Sequence, residues 1–172
     1  MAKFKDISQL TRGANYRIHV PWKHIPSWIK EAEGDLGLDM NPDFQRGHVW
    51  TVAQQQAYVE YILKGGVSGK EIYFNHPGWM GNFKGNFYCV DGLQRITAVL
   101  HFLENRVAIF GGLFFKDFED RLPGHANFNL TVNNLKSKKE VLSWYLEMNI
   151  GGTIHSSDEL DRVQKMLDEE KK

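Results

Sequence analysis

The sequence is short of several things that would narrow its function quickly. It has a single cysteine, Cys89, among 172 residues, which excludes an intrachain disulfide framework and any cysteine-rich zinc site. Net charge is missing as well. The 21 basic residues balance 21 acidic ones, so the molecule as a whole exerts no pull on nucleic acid or on an anionic membrane, and a nucleic-acid partner needs a local basic groove. No apolar run approaches ~18 residues and no charged-then-apolar leader is present, so neither secretion nor membrane insertion is expected. No repeat, low-complexity stretch or Pro/Ser-rich linker divides the chain. These absences point to a soluble, cytoplasmic protein of one domain over residues 1–172, ending in the charged tail Asp168 to Lys172.

What is present is a series of well-written helix starts. Pro26-Ser27-Trp28-Ile29 opens a short amphipathic helix that stops near Gly34, with Trp28, Ile29 and Ala32 on one side. Thr51 to Gln54 matches a capping box, ahead of an apolar face of Val52, Val59, Ile62 and Leu63 and a stop at Gly65-Gly66. Ser137 to Glu140 is a second box, followed by Val141, Leu142, Tyr145 and Leu146 at helical spacing. Ser156 to Glu159 is a third, with Leu160, Val163 and Leu167 behind it. Aromatic and β-branched runs predict strands at Glu71 to Phe74 and Asn86 to Val90, joined by a hairpin connection from Gly78 to Gly85. Val107 to Phe110 and Asn127 to Val132 are weaker strand candidates. Helices and short strands alternate irregularly, which predicts an α+β fold, a small mixed sheet flanked by helices.

Three polar segments stand out. In the first, an apolar strand runs into Asp91-Gly92 and a helix begins almost at once, with Leu93, Ile96, Val99, Leu100 and Leu103 as its inner face. Gly92 permits a sharp turn and Asp91 can cap the helix. The unpaired amides of the first turn suit an anion such as phosphate, with Gln94 and Arg95 beside them. The plain alternative is a strand–turn–helix with a surface arginine. The second segment is Asn41 to Arg46, in which Arg46 lies between the aromatic anchors Phe44 and Trp50; a pinned loop with a solvated arginine is its plain reading. The third, Glu147 to Thr153, places Gly151-Gly152 between two helices, as any glycine helix stop does.

Taken together and in order, these segments resemble the D-G-Q-Q-R motif family of the ParB/sulfiredoxin superfamily, as found in GmrSD-like modification-dependent restriction systems. The carriers are Pro42-Asp43-Phe44-Gln45-Arg46 with Trp50, then Val90 to Thr97, then Asn149-Ile150-Gly151-Gly152 with Glu159-Leu160. The resemblance spans about residues 25–167. Leu93 departs from it, standing where the family usually has its first glutamine.

The resemblance implies a ParB/sulfiredoxin-like core that binds and hydrolyses nucleoside triphosphates and acts on DNA. Such activity belongs to phage or mobile-element conflict, through nicking or through regulation of a partner nuclease. It implies that Arg95 and Arg46 hold the triphosphate, and that Asp91 binds Mg2+ (or Mn2+) or orients the attacking water. Gln94 positions that water, while Gln45, Gly92, Thr97, Asn149, Gly151 and Gly152 line the nucleotide. The seven histidines are scattered without the pattern of a His-Asn-His nuclease, so any cutting must come from the core itself. Trp79, near Lys84 at the hairpin tip, offers a surface for a nucleic-acid strand. Three classes stay open: an NTP-dependent DNA-processing factor, an ATP-dependent phosphotransferase, and a non-enzymatic DNA-binding or inhibitor module.

Overall fold

The computed structural model describes residues 3, 7, 16–45, 47–150 and 157–170. Among them, five strands form one mixed sheet in the order β1-β5-β3-β4-β2. β1 (Tyr16–Pro21) runs antiparallel to β5 (Asn127–Asn133), which lies parallel to β3 (Glu71–Asn75). β3 pairs antiparallel with β4 (Phe87–Asp91), and β4 takes the two-residue β2 (Leu38–Asp39) as a parallel edge. Five α-helices flank the sheet: α1 (Ile25–Leu36), α2 (Val52–Leu63), α3 (Leu93–Leu103), α4 (Lys138–Ile150) and α5 (Ser157–Glu169). The expected α+β class with a small mixed sheet is what the chain forms.

Strand alternation divides the core in two. Phe87 and Cys89 of β4, Ile72 and Phe74 of β3, and Phe128, Leu130 and Val132 of β5 join one cluster, which α1, α2 and α3 cover. Val90 of β4 faces the other way, into a smaller cluster with Phe44, Leu142, Tyr145 and Val163 beneath α4 and α5. Side chains one residue apart on a strand point to opposite faces, so β4 carries both cores at once.

The helix starts form as written. The Thr51 side chain accepts from the Gln54 amide at 3.3 Å, and Gln54 Oε1 accepts from the Thr51 amide at 2.8 Å. Ser137 and Glu140 do the same, at 3.2 and 3.0 Å. The third box begins at Ser156, outside the described residues, although α5 follows it directly.

Several expectations are corrected. α1 runs through Gly34 and ends only at Gly37, whose φ of 64° closes it in the left-handed region. On α2, Val52 is exposed and Gln55 takes its place among the buried residues. Val107 to Phe110 is not a strand; a lone bridge joins Ile109 to Leu113 within a loop. On α3 the buried residues are Ile96, Ala98, Val99 and Phe102, while Leu93 is half-exposed and joins neither core cluster. β1 and β2 were not expected at all.

Candidate functional site

β4 ends at Asp91, and the chain must turn at once into α3. Gly92 makes that turn with φ 117° and serves as the N-cap. A Cβ there would sit 2.5 Å from Ile72 Cδ1, so glycine is required by both backbone and packing. Asp91 does not cap the helix, contrary to expectation: no side chain does so. Its Oδ2 instead accepts from Arg95 Nη2 at 2.5 Å, one helical turn on, because the i,i+4 spacing brings the two side chains together. The same Nη2 donates to the Glu71 carbonyl at 3.0 Å, which ties the guanidinium to the edge of β3. Arg95 Nε is buried without a hydrogen-bond partner among the described residues.

Gln94 faces the other way. Its Nε2 donates to the Gly47 carbonyl at 2.6 Å, and its Oε1 accepts from the Val49 and Trp50 amides at 2.9 and 3.1 Å. The amide assigned to a water or phosphate oxygen on sequence grounds is spent here on fastening the loop before α2. Thr97 is likewise engaged within its own helix, donating to the Leu93 carbonyl at 2.8 Å.

The loop that Gln94 fastens is the one carrying Phe44, Gln45 and Arg46. Phe44 is fully buried, packed edge-on against Tyr88 and Tyr145 with ring centroids 5.8 and 5.5 Å apart. Gln45 Nε2 donates to the Cys89 carbonyl, two residues before Asp91. Asp43 takes an ion pair from Lys138 at 2.7 Å, which raises the lysine's pKa. Arg162 of α5 donates to the Phe44 and Gln45 carbonyls at 3.3 and 3.0 Å. Sequence reasoning missed Arg162, because its partners are main-chain carbonyls, which leave no pattern in the sequence. Arg46 itself lies outside the described residues.

Of the third segment, Asn149 donates from its side chain to the Tyr145 carbonyl at 2.6 Å, one turn back in α4. The Tyr145 ring in turn packs on Phe44. Gly151 and Gly152 lie outside the described residues. At the start of α3 the structure thus pairs Asp91 with Arg95 across the Gly92 turn, while Gln94 and Gln45 fasten the upstream loop to α3 and to β4.

The surroundings set the charge states. Burial, reinforced by Asp91, pushes the Cys89 thiol up to about 12. Burial also pushes the Tyr58 hydroxyl well above its usual range, against the pull of Arg95. His48 and His101 sit with ring centroids 5.5 Å apart beside this loop, and burial lowers both pKa values. Gln55 Oε1 lies 2.8 Å from His101 Nδ1, which makes Nδ1 the protonated nitrogen and leaves Nε2 to accept from Arg106. Among the described residues no group of three His, Cys, Asp or Glu side chains is gathered for a metal. Trp79 is not an open stacking platform: it is half-buried against Phe83 and Phe87, each with its centroid 5.5 Å away. No helix among the described residues is long and apolar enough to cross a membrane.

Strand, glycine turn and helix, gripped from the side by an upstream loop, define an α+β domain with its polar centre at the amino end of α3. The model of the GmrSD restriction endonuclease N-terminal domain matches residues 28–171. The chain belongs to that family. No curated protein and no solved structure gives a significant match.

Proposed function

We propose that the chain is a nucleoside-triphosphate-binding domain of a DNA-restriction system, with a ParB/sulfiredoxin-like core that couples triphosphate hydrolysis to nicking of DNA or to control of a partner nuclease. The name of the matched family, a restriction endonuclease domain, supports the DNA and phage-defence part of this reading. The observation that carries the triphosphate part is the joining of two separate polar segments, by Gln45 to the Cys89 carbonyl and by Gln94 to the Gly47 carbonyl, around a glycine-started helix.

The amides of Leu93, Gln94 and Arg95 open α3 and lack acceptors within it, as at any helix start, so phosphate oxygens complete them. Arg95, steadied on one nitrogen by Asp91 and the Glu71 carbonyl, brings fixed positive charge beside those amides. Arg46 adds a second charge from the loop that Gln94 holds, which makes Gln94 a positioning residue. Asp91 suits a hard divalent cation of the Mg2+ or Mn2+ kind: its side chain is 40% exposed and a single carboxylate is the usual protein share where phosphates and water supply the rest. Such a cation would neutralise charge building on the transferred phosphoryl group. Gly92 makes the turn that presents those amides, and the family resemblance adds Thr97, Asn149, Gly151 and Gly152 to the residues expected to line the nucleotide.

The test is hydrolysis of nucleoside triphosphates with Mg2+ by the wild type and by Arg95→Ala, run beside conversion of supercoiled plasmid to open circles. The wild type should hydrolyse, and the variant should lose turnover by roughly 10³-fold, the scale of a charge-stabilising arginine. Absence of both binding and hydrolysis in the wild type would overturn the triphosphate reading. Labelled γ-phosphate appearing on DNA or a small molecule would instead make the chain a phosphotransferase.

A further inference from the structure

The loop over residues 104–126 is long for a compact domain and contains no strand and no α-helix. It is nonetheless firmly held. Gln56 of α2 donates to the Ala108 carbonyl at 2.6 Å, Glu60 accepts from the Phe110 amide at 2.7 Å, and Asn105 accepts from the Lys116 amide at 2.8 Å. Ordered loops of this length in compact domains are mostly functional.

What the loop builds is a cavity of ≈ 220 Å³ against the ends of α2 and α3, walled by Leu63, Phe102, Phe110, Phe115 and Phe118. The rings of Phe115 and Phe118 stand edge-on to Phe102, at 5.5 and 6.3 Å. Phe110 adopts φ 47°, a left-handed conformation that costs a non-glycine residue energy, and its side chain is nonetheless 40% exposed. Strain is thus spent on standing an aromatic ring at the cavity edge. Lys64 lies 5.2 Å from that ring's centroid. At the rim, Asp120 and Arg121 are exposed, and neither is engaged by a hydrogen bond or ion pair among the described residues. Arg121, Leu122 and Pro123 also line a second cavity of ≈ 580 Å³ beside Trp22 and Lys23.

We propose that this aromatic pocket receives an unstacked nucleobase of the DNA. Three observations select that ligand. An apolar cavity of about 150 Å³ takes up benzene, so this one admits a planar ring system and little more. Aromatic walls suit a flat π-face of any base. A free acceptor (Asp120) and a free forked donor (Arg121) at the rim match the mixed donor and acceptor edge of a base, and Arg121 together with Lys64, itself paired with Glu60 at 3.5 Å, brings positive charge to the mouth for a flanking phosphate. The pocket is separate from the Gly92 turn: the 11 residues of α3 set the two ends about 16 Å apart. The proposal rests on the DNA reading above for its natural ligand, though not for the pocket's affinity for a base.

The test uses the whole chain with methyl labels on Leu63 and Leu122, nucleosides alone, and a fluorescent single-stranded oligonucleotide. The perturbing variant is Phe110→Gly, which removes the ring and relieves the left-handed strain, so folding is not at risk. Nucleosides should shift both methyl signals, and Phe110→Gly should weaken oligonucleotide binding roughly 5- to 150-fold. Arg121→Ala should weaken it less and reduce its salt dependence. Oligonucleotide binding unchanged in Phe110→Gly, with no methyl shifts, would overturn the pocket and leave the DNA reading standing. Methyl shifts by nucleosides without any oligonucleotide binding would support the pocket and count against the DNA reading. Shifts caused by N-acetyl-phenylalanine amide but not by nucleosides would overturn the proposal in favour of a protein partner's side chain.

Discussion

Replacing Gln94 with methionine keeps the length of the side chain and deletes three hydrogen bonds, to the Gly47 carbonyl and from the Val49 and Trp50 amides. Each such bond contributes about 0.5–1.5 kcal/mol net. The loop is partly open to solvent and water recovers part of the loss, so the sum falls to about 1–3 kcal/mol. That energy is local: the contacts of Ile96, Val99 and Phe102 with the core are untouched. Native-state hydrogen exchange at Val49 and Trp50 is therefore the proper assay, and both amides should exchange roughly 5- to 150-fold faster in Gln94→Met. The denaturation midpoint should move far less. Gln94→Glu retains an acceptor for both amides while losing the donor to Gly47, and its exchange at these two positions should stay near wild type. If Gln94→Met leaves both amides as protected as before, or if the Glu variant behaves like the Met variant, then the clasp is not what orders this loop. Triphosphate affinity should fall as exchange at these amides rises, because the same loop carries Gln45 and Arg46.

Gly92→Ala must adopt φ 117° and place its Cβ 2.5 Å from Ile72, which is fully buried and cannot step aside; a loss of about 2–4 kcal/mol is expected, and a change in urea midpoint worth under ~0.5 kcal/mol would contradict the packing argument. Cys89, buried with its thiol pushed up to about 12, should resist an aromatic disulfide reagent in the native protein at mildly alkaline pH and react freely once denatured; rapid native labelling would show that β4 opens. His76 is fully buried and held below the ordinary imidazole value by desolvation, with Nδ1 accepting from the Gly78 amide at 3.0 Å. The unfolded chain takes up this proton first, so the contribution of neutral His76 is intact above about pH 6.5 and declines as pH falls toward the depressed folded value. His48 and His101 titrate in the same direction, so the measurement is the difference between wild type and His76→Gln: the variant should lose less stability on acidification, and equal losses would remove His76 as a cause.

What was legible in the sequence was local. The capping boxes at Thr51 and Ser137 depend on residues three apart, and both form as read. The aromatic strands β3 and β4 depend on composition over five residues each. β2 is two residues long, too short for any pattern, and β1 is an edge strand whose Tyr16, Arg17 and His19 remain exposed. Val107 to Phe110 has strand-like composition, yet its apolar residues serve a folded loop, with Ile109 buried and Phe110 turned left-handed. The candidate site divides in the same way. The Asp91-Gly92 turn was readable as a turn, because only glycine suits it. The partners of Gln94, Gln45 and Arg162 were not, since all three bond to main-chain groups that any residue would present.

That dependence on distant main chain has a consequence in time. Phe44 and Gln45 are held by Arg162, 118 and 117 positions further along, and Gln45 by the Cys89 carbonyl 44 positions away, while Gln94 holds Val49 from 45 positions away. Contacts of such sequence separation carry a large loop-closure cost and form late. α2, α3 and the β3–β4 hairpin can assemble from neighbouring sequence while this segment is still searching. The bonds from Arg162 can close only once α5 has docked, so the Phe44 and Gln45 segment completes its contacts after the local Asp91–Arg95 pair that starts α3.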